Sequence, residues 1–179
     1  LYMARSGGNP AKAATLMAQG FANLQNYPDP LKKQIQPEVT TFIARYGSDE
    51  DRAVLEPLPA DGRFDLARAF LTLKTGDQDK ALSMFSRLAS DRKPEVAVVA
   101  AGQVLGTKLA TNRIRPAEAA SGYEKLLFAA RQAGVEKEIR HNLIAALTQA
   151  GEWPNALISV DDDLRLVPGD RIALAAPVE

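Results

Sequence analysis

Glu138 and His141 stand in a Glu-x-x-His spacing, which sets both side chains on one face of a helix. Di-iron bundles use that motif, but they use it twice. This chain has a single His, so it cannot complete such a pair alone, and a solvated helix pair is the expectation. Ser6-Gly7-Gly8-Asn9-Pro10 offers backbone N–H groups of the kind that cradle phosphate at a helix N-terminus. It lacks the following Lys-Ser/Thr and the preceding strand of a phosphate loop, so it reads as a corner between two helices. Asp161-Asp162-Asp163 has neither the alternating spacing nor the Gly of a calcium loop, and consecutive helical positions splay apart. No Gly-x-Ser-x-Gly elbow is present, and no Cys is available as a nucleophile or thiolate ligand. Arg92-Lys93, Arg113 and Arg115 are basic without interleaved aromatics, which does not make a nucleic-acid surface. The residues therefore point to no catalytic group, no cofactor and no metal.

Composition narrows the class further. The chain has 179 residues, with 22 basic and 22 acidic side chains, so bulk electrostatics gives no reason to expect affinity for nucleic acid or an acidic membrane. No apolar run approaches the roughly 18 residues of a membrane-spanning helix. With 30 Ala and 21 Leu and few β-branched residues, helix is favoured throughout. The lack of Cys suits an exported bacterial protein, which favours the bacterial periplasm over the cytoplasm.

These residues must be carried by a succession of helices. Leu1 to Arg5 reads as the end of a helix already under way, so the chain is expected to be a piece of a longer one. Asn9 and Pro10 cap and start a helix to about Leu24. A stripe of Leu31, Ile35, Val39, Phe42, Ile43 and Tyr46 predicts another, broken at Pro37 and clean from there to Tyr46. Ser48 caps a short helix. Asp61 caps a helix from Gly62 to Lys74, and Asp77 caps the next, through Leu88. Further helices are expected over 94–111, 116–133, 136–150 and 153–166, followed by a Pro168-Gly169-Asp170 turn and either a helix or a loose tail over 171–176. Val96 to Val99, the one strand candidate, reads as buried helix.

Three turns share a pattern: Gly8, Ala13, Met17; Gly76, Ala81, Phe85; Gly151, Ala156, Val160. Gly closes one helix, a small Ala allows close approach at the crossing, and a bulky residue one turn later fills the space beyond. The first two glycines are 68 residues apart, two periods of 34, and the third fits with an insertion of about seven residues near 112–120.

This spacing resembles the tetratricopeptide repeat, best over 62–95 and 137–170, where Gly76, Ala81 and Phe85, then Gly151, Ala156 and Pro168, occupy the family's positions. The family's Trp early in the first helix has no counterpart. Residues 25–60 are irregular, and 96–133 form an expanded repeat. The resemblance implies an all-α, right-handed α-α superhelix of stacked antiparallel helix pairs, a single domain over 1–179. It also implies a protein–protein interaction or scaffold module that binds a peptide or protein segment on a concave surface, without catalysis. Carried over position by position, the binding residues are Arg63, Phe70 and Lys74; Glu138, His141 and Gln149; and Tyr2 and Arg5. Two alternatives remain open. Tyr2 to Ala11 resembles a segment of the periplasmic flagellar motility protein C family, which implies an accessory of an envelope or motility machine. An enzyme-associated domain using His141 is the other.

Overall fold

The computed structural model describes residues 9–56 and 58–166, with side chains through residue 160. The Leu1–Arg5 helix end, the Ser6-Gly7-Gly8 turn, the Asp161–Asp163 side chains and the segment from Pro168 onward lie outside the described residues. The class is all-α, and the described residues contain no strand. They form nine α-helices: α1 (Pro10–Gln19), α2 (Asp29–Tyr46), α3 (Asp49–Ala53), α4 (Asp65–Lys74), α5 (Gln78–Leu88), α6 (Pro94–Ala110), α7 (Pro116–Gln132), α8 (Glu136–Gln149) and α9 (Trp153–Leu166). Short 3₁₀ turns cover Phe21–Asn26 and Gly62–Phe64. The chain divides into two compact units, with the division after Met84.

In the first unit, Asn9 caps α1 by accepting the Lys12 N–H at 3.1 Å, and Pro10 supplies the first turn. The helix stops at Gly20 and tightens into a 3₁₀ turn, earlier than its apolar pattern predicts. A larger departure is α2, which runs unbroken through Pro37. Proline has no N–H for the carbonyl of Lys33, four residues back, and so should interrupt the helix. Here Arg63 Nη1 donates to that Lys33 oxygen at 3.4 Å, so the orphaned acceptor has a partner. The helix α2 packs against α1 and α4, burying Thr40, Ile43 and Ala44.

The second unit is more regular. Helix α7 packs on α6, α8 on α7, and α9 on α8, with α6 also reaching α8. The core they enclose contains Val98, Ala119, Tyr123, Ile139, Leu143 and Leu147. Val98 and Val99 are buried within α6, as the helical reading of that stretch expects. Close approach is required where α6 crosses its neighbours: a Cβ on Gly102 would lie 2.8 Å from Ile139 Cδ1. The helix ends repeat one device. Asn112, Gly134 and Gly151 take left-handed backbone (φ 55, 71 and 76). After each, the next residue's N–H reaches back over the turn: Arg113 to Lys108 O at 2.8 Å, Val135 to Ala130 O at 2.9 Å, Glu152 to Leu147 O at 2.9 Å.

The structure also completes the repeat. Ala is the fourth residue of α1, α5, α7 and α9, and all four (Ala13, Ala81, Ala119, Ala156) are buried. The residues four further on are Met17, Phe85, Tyr123 and Val160, with Phe85 and Tyr123 buried. Ala119 and Tyr123 are the copy that counting from glycine misses. Asn112 replaces the Gly, and a longer loop precedes Pro116, so Ala falls seven residues after the turn instead of five.

Candidate binding surface

In the first unit a cleft of about 400 Å³ opens between α3 and the C-terminal end of α4. Asp49, Arg52, Ala53 and Glu56 line one side; Leu71, Lys74 and Thr75 line the other. A five-residue helix such as α3 has too few internal hydrogen bonds to stand alone, so its placement depends on its caps. Ser48 Oγ accepts the Asp51 N–H at 3.1 Å, and Asp51 Oδ2 accepts the Ser48 N–H at 3.0 Å, a reciprocal capping box. The same Oδ2 accepts the Thr15 hydroxyl of α1 at 2.9 Å, which ties α3 to α1. Burial works to raise the Asp51 carboxyl, but the bonds from Ser48 and Thr15 and the nearby Arg52 charge outweigh it, and the pKa falls below the ordinary value. Behind the cap, Gly47 meets α2 so closely that a Cβ would lie 2.7 Å from Ile43 O and 2.9 Å from Asp51 Cβ.

The charges of the cleft are arranged unequally. Arg52 is committed to the Gly47 carbonyl and the Asp49 carboxylate. Lys74 and Glu56 are exposed, and among the described residues neither enters an ion pair. Lys74 sits in the last turn of α4, where the helix dipole favours a cation. Leu71 and Ala53 add apolar surface to the lining of the cleft.

The residues expected to line a binding face separate into different environments. Lys74 lines the cleft. Arg63 lies in the 3₁₀ turn before α4, beyond the opposite end of that helix, so the two do not converge. Its guanidinium is bound to Asp61, with Nε to Oδ2 at 2.8 Å, besides the Lys33 carbonyl. The Arg63 hydrogen bond holds the Asp61 carboxyl down at about 2, and Asp61 in turn raises the Arg63 pKa. The expectation for Phe70 is corrected: it is 2% exposed, packed in the core with the Arg45 guanidinium 5.4 Å from its ring centroid. The buried stripe of α4 comprises Ala67, Ala69 and Phe70, so that position turns inward here. Tyr2 and Arg5 lie outside the described residues.

In the second unit Glu138, His141 and Gln149 share one side of α8, opposite its buried Ile139, Leu143 and Leu147. Glu138 and His141 are half-buried and Gln149 is exposed. Burial, then the neighbouring Glu138 charge, pushes the Tyr123 phenol up to about 12, and its hydroxyl donates to Gly102 O at 3.2 Å. That tyrosine is a packing residue with its polar end satisfied. Among the described residues no three His, Asp or Glu side chains group so as to hold a metal ion, and no helix is long and apolar enough to cross a membrane.

Sequence reasoning missed three positioning groups. Asp51 completes the capping box with Ser48, a spacing visible in the sequence, and also joins α3 to Thr15 of α1. Arg68 clasps the loop ahead of α4 through Asp61 O at 2.8 Å. Glu136 is held between Arg131 and Arg140 at 2.8 Å each, bracing the α7–α8 turn. The Glu136–Arg140 spacing was a visible signal for the last. Compared with known proteins, the chain matches no family model, no curated protein and no solved structure.

Proposed function

We propose that this chain is a non-catalytic protein–protein interaction module that seats a peptide or protein segment in the cleft between α3 and α4. The observation that carries the reading is Lys74. The tetratricopeptide resemblance selects it as a binding position, and it lines the cleft with no ion pair of its own among the described residues. The helix–turn–helix units with Ala at the fourth position of the second helix support the same reading, since stacked pairs bind through presented surfaces. In this account Lys74 meets an acidic group of the segment, Glu56 limits the negative charge tolerated beside it, and Leu71 and Ala53 accept an apolar side chain.

The test is selection of peptides from a displayed library on the full chain. The selected peptides are then compared on Lys74→Glu, on Ala53→Trp, which fills the cleft, and on Gln149→Glu, which lies in the other unit. Loss on the first two with retention on the third supports the cleft. Equal binding to all variants rejects it.

A further inference from the structure

Helix α3 contributes Asp49, Arg52 and Ala53 to one wall of the cleft. It packs on α1 and α2, and its five residues close too few hydrogen bonds of their own to fix its place. Asp51 holds it from outside the cleft: neither Asp51 nor Thr15 is among the described residues that line it. Asp51 is 9% exposed, so its carboxylate depends on protein donors more than on water. Two of them converge on Oδ2, the Ser48 N–H at 3.0 Å and the Thr15 hydroxyl at 2.9 Å. The first belongs to the cap and moves with α3. The second reaches across to α1.

Thr15 has one hydroxyl proton and two acceptors in range, Asp51 Oδ2 at 2.9 Å and Ala11 O at 3.3 Å. The carboxylate is both nearer and charged, so it takes the proton. Without that bond Oδ2 would keep the Ser48 N–H alone, at a site with little water to replace the loss. The short helix would then spend part of its time displaced from α1. A ligand that spans Ala53 and Lys74 would meet a smaller population with the two walls in place, and its affinity would fall by that fraction. We infer that Thr15 is a positioning residue for the cleft: its hydroxyl, acting through Asp51, holds the α3 wall where the ligand needs it. This rests on the binding role proposed for the cleft, and it places one determinant of that role on α1.

The experiment compares the full chain with Thr15→Val, which keeps the shape and removes the hydroxyl, and Thr15→Ser, which restores the hydroxyl. One readout is amide hydrogen exchange at Arg52 and Leu55, whose N–H groups donate to Ser48 O and Arg52 O at 3.0 Å each. The other is titration of a library-selected peptide that loses binding on Lys74→Glu, with helix content checked by circular dichroism. In Thr15→Val, exchange at the two amides should speed up about tenfold and peptide affinity should fall about threefold or more. Thr15→Ser should recover both, with helix content the same in all chains. Unchanged exchange in Thr15→Val would overturn the inference, and so would faster exchange with full affinity. A loss that Thr15→Ser does not repair would also overturn it, since packing and not the hydroxyl would then be the cause. Failure of the binding role itself has a different signature: the selected peptides would bind Lys74→Glu as tightly as the unchanged chain, and Thr15 would have no cleft ligand to serve.

Discussion

The second unit turns between α6, α7, α8 and α9 on one left-handed residue each time, whereas the first unit uses both that device, at Gly76 (φ 91), and a turn built from side chains after α2. In the second unit the turns at Asn112, Gly134 and Gly151 use one left-handed residue and one backbone reach-back, and little side-chain chemistry is needed. In the first unit the turn after α2 has ordinary backbone at Gly47, with φ −70, and side chains do the work: Ser48, Asp51, Thr15 and Arg52. The regular turn closes its helix end within the backbone. The irregular one leaves a five-residue helix standing over an open cleft. Regularity in this protein supports packing, and the departure from it leaves the cleft between α3 and α4.

The largest effect expected on this contrast is in the regular core. Ile139 is fully buried beneath Gly102, and Ile139→Ala should cost roughly 2–5 kcal/mol by denaturant unfolding. It should leave binding at the α3–α4 cleft intact at temperatures where the chain stays folded. Next is Gly47→Ala, where the added methyl meets backbone on one side and Asp51 on the other; overpacking of this kind costs about 1–3 kcal/mol. That variant should also weaken cleft binding, because α3 must shift. Unchanged stability and binding would show that side-chain caps do not set the position of α3.

Smaller effects separate backbone from side-chain turns. Asn112→Gly should be nearly neutral, whereas Asn112→Val should cost about 1–3 kcal/mol, because a β-branched residue is strained at positive φ. Acid acts on the α7–α8 brace. The Arg131 hydrogen bonds, opposed by burial and aided by Arg140, hold Glu136 down at about 2 from an ordinary 4.5. A carboxylate lowered on folding contributes its stabilisation above its unfolded value and loses it as pH falls through the folded one. Stability of the chain should therefore decline between about pH 5 and pH 2, and Glu136→Gln should flatten part of that slope.

Local signals in the sequence were strong wherever one residue decides an outcome. Asn9, Ser48 and Asp77 each cap where their side chains predict, whereas Asp61 caps the 3₁₀ turn Gly62–Phe64 and α4 begins only at Asp65. The ends of α6, α7 and α8 lie within a residue of expectation. Outcomes set by distant partners were not legible. The helix α2 continues through Pro37, and the Lys33 carbonyl freed there meets Arg63, 30 residues away. Asp51 closes a local capping box with Ser48, but its tie to α1 depends on Thr15, 36 residues away. Phe70 fits a family position for a presented side chain, yet it also lies on an apolar side with Leu66 and Leu73, and the structure follows that local pattern by burying it. Lys74 was selected by repeat position alone, and the structure adds that it is exposed and lines the α3–α4 cleft.

The central claim is that the α3–α4 cleft is the binding site, and affinity across a Lys74 series tests it most directly. Titration of one library-selected peptide should give a loss of about tenfold or more for Lys74→Glu, an intermediate loss for Lys74→Ala, and near-complete recovery for Lys74→Arg, with stability unchanged throughout. Equal affinity for all four chains would contradict the claim and remove Lys74 and its cleft from the account of function.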